Sequence, residues 1–104
     1  MRRLLMAVAV AATIGVATVR AESIVQILDG AQFGSGCDSV LVNIYTSSAK
    51  TTWVGGFQTN CTAHTVSLAA IGFSAGQQAN SHYAEADYYD GAGIIAESIV
   101  LILD

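Results

Sequence analysis

Beyond residue 22 the chain is a series of short apolar runs separated by glycine, serine, asparagine and aspartate. The runs are rich in Val, Ile, Thr, Tyr and Phe, a pattern that predicts strands. Residues 39–46 alternate most clearly. Val40, Val42 and Ile44 fall on one face, Asn43 and Tyr45 on the other. Further strands are expected over 23–28, 51–58, 82–89 and 94–103. Gly55-Gly56 weakens the third run and suggests a bulge or a close backbone approach. Residues 61–73 alternate for part of their length, and 67–73 alternatively form a short helical turn. Residues 74–80 read as a polar loop. Asp90-Gly91-Ala92-Gly93 is a hairpin signal joining the last two strands. Six or seven short strands with no linker predict an all-β domain, a small antiparallel β-sandwich or barrel.

One repeat stands out. Glu22 to Asp29 recurs as Glu97 to Asp104, with seven of eight positions identical and Gln26 replaced by Leu101. The intervening residues hold no second copy, so the chain is not a solenoid. The copies are a device for exchange between molecules, the remnant of a duplication, or two neighbouring strands of one sheet. Exchange has a simple physical basis: a strand that fits a slot in its own domain fits the same slot in an identical neighbour. Residues 99–103 are apolar and proline-free, the type that stacks edge to edge, with Glu97 and Asp104 as flanking gatekeepers. Gln26 predicts a half-exposed strand, and Leu101 predicts one buried on both faces.

Residues 1–21 have the organisation of a secretory signal: Arg2 and Arg3, an alanine-rich apolar stretch, then Val19-Arg20-Ala21 before the expected cleavage point. Ala17 is an alternative cleavage site, and an uncleaved membrane anchor is the competing reading. Cleavage leaves one domain over 22–104 with Lys50 as its only Lys or Arg against eight carboxylates, a formal charge of −7. Phosphate contacts require several basic groups. Nucleic acid is therefore excluded as a partner, and an anionic membrane surface is not expected once the signal is removed.

So small a domain is often helped by a covalent staple. Cys37 and Cys61 are the only cysteines, and an exported chain is expected to pair them, a link worth about 3 kcal/mol. Trp53, between them in sequence, is expected to pack on their bridge.

Candidate chemistry is sparse. On a strand, Tyr83, Glu85, Asp87 and Tyr89 share one face, two carboxylates between two rings. Such a face suits a glycan, or calcium with oxygen ligands from Glu85, Asp87 and Asp90, although the spacing is not that of an EF-hand loop. The plainer reading is an ordinary acidic solvent face with tyrosines at strand positions, where aromatics are common. His64 shares a face with Val66 and Leu68 and reads as a partly buried structural residue. Asn60-Cys61-Thr62 is an N-glycosylation sequon. No catalytic, cofactor or metal motif is present. The sequence points to a secreted, non-catalytic structural or surface protein with itself as partner, an assembly formed by exchange of 22–29 and 97–104. An extracellular carbohydrate- or calcium-binding module is the alternative.

Overall fold

A computed structural model describes residues 23–103; the expected signal segment, Glu22 and Asp104 lie outside the described residues. Among the described residues seven strands form two antiparallel sheets. Strands β1 (Ile24–Ile27), β4 (His64–Ser67) and β7 (Ile102–Leu103) make the smaller sheet, in the order β4-β1-β7. Strands β2 (Ser39–Tyr45), β3 (Trp53–Thr59), β5 (Tyr83–Asp90) and β6 (Gly93–Val100) make the larger, in the order β3-β2-β5-β6. The architecture is the small disulfide-linked β-sandwich that the alternation predicts.

The core follows from the period of two. Val40, Val42 and Ile44 of β2 and Ala84, Ala86 and Tyr88 of β5 are buried, and Val25 and Ile27 of β1 meet them from the opposite sheet. Each fully buried Val or Ile contributes about 1.5–3 kcal/mol relative to exposure. The Tyr88 ring packs beside Phe33, with centroids 4.7 Å apart, and its hydroxyl donates to the Leu28 carbonyl at 3.0 Å and accepts from the Leu28 N–H at 3.1 Å. The buried phenol thus satisfies both backbone groups of the residue following β1.

The β5–β6 hairpin turns where expected. Asp90 Oδ1 accepts from Ala92 N at 2.7 Å and Gly93 N at 3.1 Å. Gly93 has φ 141°, a region closed to most side chains. Gly55 marks a close approach: a Cβ there would lie 2.7 Å from the Phe73 ring.

Within 61–73 only His64–Ser67 is strand, and residues 68–72 turn, in keeping with the turn offered for 67–73. Three expectations need correction. The single strand expected over 94–103 is split at Leu101 between the two sheets, as β6 and β7. The polar stretch 74–80 contains a helix, α1 (Ala75–Ala79), because Ser74 and Gln77 form a reciprocal capping box. Trp53 does not pack on the disulfide but stands 60% exposed on the outer sheet face. Gly30 takes that place: a Cβ there would be 2.8 Å from Cys37 Sγ. The disulfide itself is formed between Cys37 and Cys61 with a Cα separation of 6.1 Å.

Candidate functional site: matching ends and an acidic aromatic face

The two copies of the octapeptide are neighbouring strands. Ile24 pairs with Leu103 and Val25 with Ile102, antiparallel. The ladder ends where Gln26 N–H donates to the Leu101 carbonyl at 3.0 Å. Equivalent positions in the copies are 75 residues apart in sequence, so this register places Gln26 against its own counterpart. The pairing is therefore locally two-fold symmetric about the single position at which the copies differ.

Their environments nevertheless diverge. The strand of the first copy, β1, lies in the smaller sheet, with Val25 and Ile27 buried. The second begins in β6 and leaves the larger sheet at Leu101, entering the smaller one as β7. Leu101 is 60% exposed, contrary to the expectation of burial on both faces. The reason is alternation: Val100 and Ile102 supply the inward side chains, so Ile99, Leu101 and Leu103 point outward. Strand β7 is two residues long and occupies a sheet edge.

The predicted ligand face is on the outside of β5. Tyr83, Glu85, Asp87 and Tyr89 alternate with buried Ala84, Ala86 and Tyr88. The structure joins Glu85 and Asp87 to Glu97, which lies opposite Asp87 on β6. One carboxylate oxygen from each lies within 4.8 Å of the others. Tyr89 stands at the far end of β5, opposite Ser39, and Asp90 is occupied with the hairpin amides. Neither joins the cluster.

Lys50 closes one side of this group. Its Nζ lies 2.6 Å from Glu85 Oε1 and 5.9 Å from the centre of the Tyr45 ring. The hydrogen bond and charge of Glu85 raise the Lys50 ammonium above its ordinary value. Asp87 is different: one of its oxygens, Oδ1, is buried with no hydrogen-bond partner. Burial, then Glu85 and Glu97, push its carboxyl above the usual aspartate value, against the opposing pull of Lys50. Glu97 was not recognisable as a site residue because only the β5–β6 register brings it there.

The other candidates are separate. Asn60 is exposed beside the disulfide and its Oδ1 accepts from Thr62 N at 3.0 Å. A hollow of about 360 Å³ next to it is rimmed by Asp29, Asp38 and Asn60. His64 is structural in geometry: Nε2 meets Thr59 Oγ1 at 2.8 Å and Nδ1 donates to the Thr62 carbonyl at 2.6 Å. Among the described residues no helix is long and apolar enough to cross a membrane. Comparison with known proteins gives no match to a family model, a curated protein or a solved structure.

Proposed function

We propose that the chain is a secreted, non-catalytic structural or surface protein that assembles by exchanging its terminal strand. The antiparallel pairing of the matching ends about Gln26 and Leu101 is the observation that carries this reading. The slot beside β1 accepts the sequence of β7, and every other molecule of the protein carries the same strand. Exchange breaks and remakes identical contacts, so little enthalpy opposes it, and the hinge has only to reopen around exposed Leu101. The result is a closed dimer or a head-to-tail chain, as in strand addition to a sheet.

Light scattering behind size exclusion tests the proposal on residues 22–104 and on the same chain lacking 101–104. The full chain forms dimers or a ladder that grows with concentration. The truncated chain, which keeps all of β6, stays monomeric and folded. A full chain that is monomeric throughout rejects the proposal.

A second reading, an extracellular calcium- or carbohydrate-binding module, draws on the convergence of Glu85, Asp87 and Glu97. Calcium takes six to eight oxygens, and here it has to draw Glu85 away from Lys50. Calcium titration followed by thermal melting tests it: a bound ion raises the melting temperature in wild type and not in Asp87→Asn.

A further inference from the structure

The outer face of the larger sheet has a feature that the matching ends do not use. Trp53, Tyr45 and Tyr83 stand side by side across β3, β2 and β5. Trp53 is largely exposed but anchored: its Nε1–H donates to Asn43 Oδ1 at 3.0 Å. The indole runs beside Gly56, where a Cβ would lie 2.9 Å from that Oδ1 and 3.5 Å from the indole Cζ2. The rings of Tyr45 and Tyr83 are 6.4 Å apart. An indole anchored in this way loses little side-chain freedom when something stacks on it.

The charge on the same face is unbalanced. Lys50 compensates Glu85, leaving Asp87 and Glu97 directly opposite each other on paired strands. Like charges in that position are destabilising, and Asp87 Oδ1 has no donor. Beside them lies a depression of about 190 Å³ lined by Lys50, Tyr83, Glu85, Glu97, Ser98 and Ile99. Lys50 shows how this face receives an organic cation: a carboxylate takes the charge and a tyrosine ring lies near it.

We propose that this face docks an extended, arginine-bearing segment of a partner polypeptide, one guanidinium stacking on the Trp53–Tyr45–Tyr83 row and a second pairing with Asp87 and Glu97. Charge complementarity selects a cationic partner, and an anchored indole face beside paired carboxylates selects arginine, whose flat guanidinium stacks and pairs, over lysine. The methylene stem of the second arginine lies along exposed Ile99. Tyr83 and Asp87 are four residues apart on one strand, about 13 Å, so arginines four apart on an extended chain reach both places. A neutral glycan would stack on Trp53 but leave Asp87 facing Glu97. Calcium would relieve that pair without engaging Trp53.

The test uses residues 22–104 and the peptide acetyl-Arg-Thr-Ser-Thr-Arg-amide at low ionic strength, with calcium and maltohexaose as comparison ligands. Trp53 is the only tryptophan, so its fluorescence reports stacking directly. The arginine peptide gives a saturable fluorescence change and a measurable heat of binding. The Asp87→Asn/Glu97→Gln double variant, whose native fold is checked by circular dichroism, weakens binding by about tenfold, the loss of one charge-assisted contact. The lysine counterpart binds more weakly, and maltohexaose leaves the fluorescence unchanged. Absence of saturation with the arginine peptide, or equal affinity for the double variant, overturns the proposal. So does saturation by calcium or maltohexaose when the peptide fails to bind.

Discussion

Gln26 and Leu101, the one position at which the two octapeptides differ, are joined across the sheet by a backbone hydrogen bond of 3.0 Å. Both side chains are exposed. The substitution therefore sits where a local two-fold relation between the copies tolerates either residue. Leu101→Gln, which makes the ends identical over eight residues, is expected to change stability by less than about 0.5 kcal/mol. Urea denaturation measures it, and a loss of several times that amount would mean that Leu101 is packed in a way the structure does not show.

Tyr88 holds the end of β1 through both polar groups of Leu28. Tyr88→Phe keeps the ring and leaves a part-buried N–H and C=O without their partner, at a cost of about 1–3 kcal/mol. An unchanged urea midpoint would show that water replaces the hydroxyl without loss.

Gly30 lies against the disulfide with no space for a side chain. A Cβ would come within 2.8 Å of Cys37 Sγ and 2.9 Å of Cys61 Cβ. Gly30→Ala is expected to destabilise the oxidised protein by about 1–3 kcal/mol through overpacking. The cost should shrink in the Cys37→Ser/Cys61→Ser background, where the loops can separate. That background is itself expected to lose about 3 kcal/mol. Equal penalties in both backgrounds would place the strain elsewhere.

The raised carboxyl of Asp87 has a defined pH signature. Because the folded state binds this proton more readily than the unfolded state, the group's contribution to stability falls as pH rises from the unfolded value through the raised folded one. At neutral pH it is a cost. Asp87→Asn is expected to be more stable than wild type at pH 7, with the difference narrowing near pH 3. A difference independent of pH would remove Asp87 as its source.

Much of this was legible in the sequence, for reasons that differ by residue. Val40, Val42 and Ile44 announced their face because a buried strand enforces a period of two, and the same rule put Glu85 and Asp87 outside. Cys37 and Cys61 had no other partner to choose. Leu101 misleads because hydrophobicity alone suggests burial, whereas alternation with inward Val100 and Ile102 turns it outward. Trp53 misled because its nearness in sequence to the cysteines does not fix the side of the strand on which it projects. Glu97 and Lys50 reach the acidic face through strand register and a loop, which no local pattern encodes. Helix α1 was hidden in a polar stretch, although Ser74 with Gln77 three residues later is a capping signature.

In the proposed exchange β7 leaves its own slot for a neighbour's, and a covalent lock tests this most directly. The hydrogen bond between Gln26 and Leu101 makes Val25 and Ile102 the next, non-hydrogen-bonded pair. Cα atoms at such a pair are about 4.5 Å apart, within disulfide range. Val25→Cys/Ile102→Cys, oxidised within one chain, fastens β7 in place. Light scattering behind size exclusion should find concentration-dependent oligomers of residues 22–104, a monomer for the oxidised variant, and oligomers again on opening the new bridge. Oligomers that persist unchanged in the locked protein would contradict exchange, as would a wild-type chain that is monomeric at every concentration.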